Sequence, residues 1–171
     1  MGVNVLVNQD TIDRFELKGL NVIKTEHSVK INCGKFEILP FNLKHDVPCF
    51  GFLIKHPESG TICFMTDSYY SPFKFKNITN WIIEANYCEN ILKEKGINYV
   101  SERVRSSHMS IQNCISLLKE NDMSRVENIV LIHLSDSNSD EKSFKNQVAE
   151  STKQNVFIAE KGLIIPMNLP F

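Results

Sequence analysis

The feature that most constrains the fold is a change in the pattern of apolar segments near residue 67. Before it, three closely spaced runs are rich in β-branched and aromatic residues, which is typical of strands. These runs are residues 36–41, 50–55 and 61–65. After it, strand-like runs alternate with helical patterns; the runs are residues 81–85, 128–133 and 156–159. Strands followed by strand and helix alternation predict a layered α/β or α+β domain.

Two later segments are predicted to be helices. In the segment 110–120, the apolar residues Ile111, Cys114, Ile115 and Leu118 recur at the spacing of one helix face. The segment 139–150 opens with polar and acidic residues that favour a helix N-terminus. Nearer the start we expect short strands and one short helix. The strands are residues 3–7, 20–24 and 28–32, and the helix is residues 9–15.

Composition limits the class of protein and of partner. A chain of 171 residues with 42% hydrophobic residues is about the size of one globular domain, and we expect a single domain over residues 1–171. The net charge of -1 gives no global attraction to nucleic acid or to an anionic membrane. No apolar run reaches the roughly 18 residues of a membrane span. Five cysteines without a C-x-x-C pair favour a reducing cytoplasm.

Residues of the metal-binding type stand at the ends of the predicted strands. His45, Asp67 and His133 each lie at an end of one of these strands, and His108 lies just before the first predicted helix. Imidazole and carboxylate are the ligands expected at a hydrolytic zinc site. Taken singly, each residue is better explained structurally: Asp67 as a turn residue, His108 as a helix cap and His133 as a hydrogen-bonded core histidine. Their order along the chain is what favours a site.

Five short segments occur in a characteristic order. They are Leu43-Lys44-His45-Asp46-Val47-Pro48-Cys49-Phe50-Gly51-Phe52, Phe64-Met65-Thr66-Asp67, Ile82-Ile83-Glu84-Ala85-Asn86, Ser107-His108-Met109-Ser110 and Ile132-His133-Leu134-Ser135. This order resembles the C-terminal half of the metallo-β-lactamase-fold hydrolases, particularly the phosphodiesterase branch that contains the tRNA 3′-processing ribonucleases. The resemblance spans most of the chain. It implies part of the αββα sandwich of that fold.

The sequence departs from the family pattern at its start. The upstream H-x-H-x-D-H block is absent, because the only histidine before His45 is His27. We therefore expect a domain that lacks its N-terminal part. By resemblance, His45 would hold one zinc ion, His133 a second and Asp67 both, so two ions are expected in the complete fold and an incomplete site here.

The resemblance implies a zinc-dependent hydrolase of phosphodiester bonds, with nucleic acid among the candidate substrates. Asp67 and His108 are the expected catalytic residues. His108 would steady the phosphate or protonate the leaving oxygen. A catalytic zinc ion normally has at least three protein ligands, so we expect the chain alone to bind zinc poorly and to be weak or inactive.

The alternative is a non-catalytic remnant or half-domain that acts as a binding module. If the first layers of the fold are absent, the strands at 50–54 and 61–65 lose part of their cover. An uncovered apolar sheet recruits a partner. The expected partners are then a second copy of this chain or a complementing N-terminal segment, and no membrane.

Overall fold

A computed structural model describes residues 3–19, 21–94 and 99–169. Its strands are β1 (Val5–Val7), β2 (Val22–Lys24), β3 (Ile31–Cys33), β4 (Phe36–Asn42), β5 (Phe50–His56), β6 (Gly60–Met65), β7 (Asn80–Glu84), β8 (Asn128–Ile132) and β9 (Asn155–Ile158). Its helices are α1 (Gln9–Arg14), α2 (Glu89–Glu94), α3 (Tyr99–Ser107), α4 (Ile111–Lys119) and α5 (Glu141–Thr152). The mixed α/β architecture predicted from the sequence is confirmed.

The main sheet has seven strands, β3 to β9, in the same order as in the sequence. From β3 to β6 the neighbours are antiparallel, with Phe52 of β5 opposite Phe64 of β6. From β6 to β9 the neighbours are parallel. Parallel strands need crossover connections, and α4 and α5 supply helices for the last two. The carboxyl ends of β6, β7 and β8 therefore meet at one edge.

One face of the sheet forms the core together with α4 and α5. Its strand residues include Cys63, Trp81, Ile83, Ile129 and Leu131, each with 0% exposure. The helices bury Ile111, Cys114, Leu117, Leu118, Phe144 and Val148. The spacing of these residues places them on one side of each helix, so burial of that side fixes both helices against the parallel strands.

The N-terminal part adds a small second sheet. Strands β1 and β2 pair in parallel, with Val5 opposite Val22. Asn8 caps the N-terminus of helix α1, because its side chain accepts a hydrogen bond from the Thr11 N–H. The Asn8 side-chain amide also donates to the Pro48 carbonyl, which connects this part to the loop before β5. Among the described residues, no helix is long and apolar enough to cross a membrane.

Some element boundaries differ from the sequence-based prediction. The strand predicted at 28–32 is displaced to Ile31–Cys33, because Ser28 adopts a left-handed backbone with φ of 61° that a strand cannot contain. Leu20, which opened the predicted strand at 20–24, lies outside the described residues. Helices α2 and α3 were not predicted. As a result, His108 follows one helix and precedes another.

Candidate metal centre

The candidate site lies at the edge of the sheet where the parallel strands end. Asp67 comes two residues after β6, and His133 comes directly after β8. Strand β7 lies between β6 and β8 in the sheet. Both residues leave their strands in the left-handed conformation, with φ of 56° for Asp67 and 57° for His133. His108 reaches the same edge from the short connection between α3 and α4. Three separate parts of the chain thus converge at one point.

Asp67, His108 and His133 form a group whose potential ligand atoms all lie within 4.8 Å of one another. Asp67 Oδ1 is 3.7 Å from His108 Nδ1 and 3.6 Å from His133 Nδ1. The side chain of His133 is 43% exposed and that of Asp67 is 35% exposed, so the group opens to solvent. Two imidazoles and a carboxylate at this spacing could hold a divalent cation.

A buried carboxylate supports the group from beneath. Glu84 ends β7, between the strands that carry Asp67 and His133, and its side chain is fully buried. Its Oε1 lies 2.7 Å from His108 Nδ1 and 3.1 Å from His133 Nδ1. Its Oε2 accepts a hydrogen bond from the Ser68 N–H at 3.2 Å. Glu84 therefore orients both imidazoles and fixes the loop that follows Asp67.

Further hydrogen bonds hold Asp67 and His133 in place. Thr66 Oγ1 donates to Asp67 Oδ2 at 3.1 Å and lies 3.2 Å from His133 Nδ1. The Asn86 side-chain amide donates to the His133 carbonyl at 2.8 Å. The backbone and side chain of His133 are both fixed by neighbours, as a preorganised site requires.

The electrostatics of the site favour a charged His108. The hydrogen bond to Glu84 raises the pKa of His108 above its ordinary value of 6.5, and burial opposes the shift. The negative charges of Glu84, Asp67 and Asp46 add to the rise. The surroundings of His108 therefore favour its protonated form.

His45 lies at the same edge but outside the group of three. Its ring centroid is 5.7 Å from that of His108. Its Nδ1 lies 3.1 Å from the Ser107 carbonyl oxygen, and its Nε2 lies 3.1 Å from Asp46 Oδ1. Asp46 in turn pairs with Arg103 at 3.2 Å. Both ring nitrogens of His45 have protein partners here, and its role as a metal ligand stays a prediction.

From the sequence, Glu84 was expected only as part of the segment Ile82-Ile83-Glu84-Ala85-Asn86 and had no predicted role. A carboxylate at the end of the apolar run Trp81-Ile82-Ile83 was the signal that could have identified it, because a buried charge needs close partners. His108 was expected beside the metal rather than as part of a ligand group. In the structure, a potential ligand atom of His108 lies within 4.8 Å of those of Asp67 and His133. The role of His108 stays a prediction.

The fold of the chain is similar to that of known proteins. No protein family model matches the chain, and no curated protein is similar to it in sequence. Among solved structures, the metallo-β-lactamase fold protein YhfI from Bacillus subtilis superposes with a TM-score of 0.71 over 92% of this chain, at 18% identity. The chain has the metallo-β-lactamase fold. The fold expected from the order of the five segments is therefore confirmed.

Two other metallo-β-lactamase-fold structures are similar. The metallo hydrolase Igni18 from Ignicoccus hospitalis matches 98% of this chain at 13% identity, with a TM-score of 0.62. The short form of human tRNase Z matches 81% at 20% identity, with a TM-score of 0.51. The chain spans 61% of the length of YhfI, 69% of Igni18 and 46% of the human protein. The fold is common to these proteins, whereas the chemistry must be argued from the site.

Proposed function

We propose that this chain belongs to a metal-dependent hydrolase that cleaves phosphodiester bonds, with the divalent cation held by Asp67 and His133. The convergence of these two residues with His108 within 4.8 Å is the observation that carries the proposal. In addition, tRNase Z and a metallo hydrolase are among the proteins that share the fold. Zinc is one of the ions that imidazole and carboxylate ligands commonly bind.

The donor types suit such an ion, and the two ligands are one fewer than the three that a catalytic zinc ion normally has from protein. Asp67 has no lysine or arginine within ion-pair distance among the described residues, and the ring nitrogens of the two histidines lie within 3.7 Å of its Oδ1. Its carboxylate is therefore available to a cation. When bound, a divalent cation supplies Lewis acidity to a hydrolytic reaction.

His108 is proposed to act on the substrate, as a hydrogen-bond donor to the phosphate or as the proton donor to the leaving oxygen. Its contact with Glu84, at 2.7 Å, is shorter than the 3.1 Å contact of His133 with the same oxygen. The Glu84 carboxylate therefore holds the His108 ring most directly. An imidazole oriented by a buried carboxylate is a common arrangement for proton transfer.

The first experiment measures metal binding. Zinc titration of metal-stripped protein should show that Asp67→Asn and His133→Gln each weaken affinity at least tenfold, because each removes one ligand. Asp10→Asn, a change to an exposed aspartate in α1, is the matched control and should bind like the wild type. Equal zinc affinity in the wild type and in Asp67→Asn would refute the proposed site.

The second experiment assigns His108. If His108 acts on the substrate, His108→Asn should keep zinc affinity within about threefold of wild type and lower hydrolysis of bis(p-nitrophenyl) phosphate by about 10²-fold or more. A loss of zinc affinity as large as that of Asp67→Asn would make His108 a third ligand instead. Turnover of p-nitrophenyl acetate but not of the diester would contradict the phosphodiester assignment.

A non-catalytic binding module is the second candidate function. It is favoured by the size of the site, because the described residues contain one group of three potential ligands and the chain spans 61% of YhfI. Zinc binding without turnover of any of these esters would support this candidate. The ligands still needed would then come from another polypeptide segment or a second copy of the chain.

A further inference from the structure

A cavity lies at the opposite end of the strands from Asp67. It has a volume of about 500 Å³, and residues on β4, β5 and β6 form its floor. Across that floor Glu37 pairs with Lys55, and Lys55 pairs with Thr61, in adjacent strands. Since Thr61 and Asp67 are separated by six residues, and strands rise about 3.3 Å per residue, the two sites are roughly 20 Å apart. The cavity is thus separate from the candidate metal centre.

The lining of this cavity is strongly basic. Four cations contribute, namely Lys30, Lys55, Lys76 and Arg125, against a single carboxylate, Glu37. Glu37 pairs with Lys30 at 2.9 Å, and the charge of Lys55 on the adjacent strand also lowers the pKa of Glu37. Among the described residues, no ion pair involves Lys55, Lys76 or Arg125, although Arg125 lies in the field of Asp122 beyond the lining. In a chain whose net charge is -1, this is a local excess of positive charge.

His56 adds a further hydrogen-bond donor to the same wall. Its Nδ1 accepts a hydrogen bond from the Glu58 N–H at 3.2 Å. Because Nδ1 is the acceptor, Nε2 carries the ring proton and can donate. The ring packs against Phe36, with centroids 4.6 Å apart, and this contact limits its rotation.

The remaining walls are apolar. They are formed by Leu39 and Leu53 from the sheet, Pro57 from the turn after β5, and Leu169 near the end of the described chain. The Leu169 N–H donates to the Glu58 carbonyl, which holds this last wall in place. Basic and apolar surfaces therefore face the same volume, as they do in pockets for small amphiphilic anions.

We propose that this cavity binds a phosphomonoester with an apolar or aromatic body of about nucleoside size. A phosphomonoester carries about −1.5 to −2 charges at pH 7, which suits a lining of four cations and one carboxylate better than the single charge of a carboxylate ligand does. Arg125 presents a planar fork that matches phosphate oxygens. The leucines and Pro57 contact the body, and the volume is within the range of roughly 300–1,000 Å³ typical of ligand pockets.

Calorimetric titration tests the proposal, with adenosine monophosphate, inorganic phosphate and hexanoate as probes in the presence of EDTA. We expect adenosine monophosphate to bind at least tenfold more tightly than inorganic phosphate, because only the former contacts the apolar walls. The double variant Lys55→Gln/Lys76→Gln should weaken this binding at least tenfold. The control Lys142→Gln/Lys145→Gln, on α5, should leave it unchanged.

Amide chemical-shift mapping locates the ligand independently of affinity. The proposal requires the largest shifts at Gly60, Thr61 and Thr79, and it requires diester hydrolysis by the Lys55→Gln/Lys76→Gln variant to match the wild type. Shifts confined to residues near Asp67 and His133 would overturn it. So would unchanged affinity in the double variant, or hexanoate binding as tightly as adenosine monophosphate.

Discussion

The two halves of the main sheet differ in how they are buried. In the parallel half, β7 and β8 are almost entirely enclosed, and Trp81, Ile83, Ile129 and Leu131 have 0% exposure. In the antiparallel half, most residues of β4 and β5 are only partly buried. Parallel strands are normally covered on both faces, whereas antiparallel strands tolerate water on one.

This difference separates the two candidate sites. The enclosed half supplies rigid strands, and their ends position Asp67, Glu84 and His133 against one another. The open half leaves room for the basic cavity above β4 and β5. The side chains of the candidate metal centre are therefore held by the most deeply buried strands. The basic cavity lies over strands that are only partly buried.

The largest effect that tests the comparison is expected from matched isoleucine truncations. Ile129→Ala should lower the free energy of unfolding by about 3 kcal/mol, because the side chain is fully buried and leaves a cavity. Ile54→Ala, in the half-buried part of β5, should cost about 1 kcal/mol. Urea denaturation measures both. Equal losses would mean that the two halves are packed equally well.

A smaller effect is expected at Gly51, where the antiparallel half is unusually tight. A Cβ placed there would lie 2.4 Å from Phe41 Cζ and 3.0 Å from the Phe64 carbonyl oxygen. Gly51→Ala should therefore destabilise the protein by about 2 kcal/mol through overpacking. Adding Phe41→Leu removes the clashing ring and should restore part of the loss relative to Phe41→Leu alone. An unaltered denaturation midpoint in Gly51→Ala would show that Phe41 moves freely.

The smallest effect concerns pH and the enclosed half. Because the pKa of His108 is raised in the folded protein, its protonation stabilises the fold. This contribution is fully present below about pH 6.5 and is lost as pH rises through the folded-state value. In metal-stripped protein, Glu84→Gln should flatten the pH dependence of stability in this window, whereas His27→Gln should not.

Histidine titration followed by NMR checks the cause directly. His108 in the metal-stripped wild type should titrate above 6.5. A value at or below 6.5 would contradict the role given to Glu84, even if the Glu84→Gln variant did not fold.

The sequence predicted the enclosed half better than its connections. Buried parallel strands are continuous apolar runs, so β7, β8 and β9 were found within one residue at each end. Helix α3 was missed because its sequence is mostly polar and has no apolar stripe of the usual width. His45, Asp67 and His133 were placed at strand ends, but the partners of His45 and the contact of Glu84 with two histidines depend on tertiary approach, which spacing along the chain does not specify.

The left-handed backbone at Asp67 and His133 restricts how this edge of the sheet can diverge in evolution. Aspartate, asparagine and histidine are the side chains that tolerate this conformation best after glycine, and β-branched residues tolerate it poorly. The backbone thus narrows the substitutions available at both positions before any demand of chemistry is made. A lineage without the proposed activity would be expected to drift toward asparagine or glycine at these two positions, while its overall shape persisted.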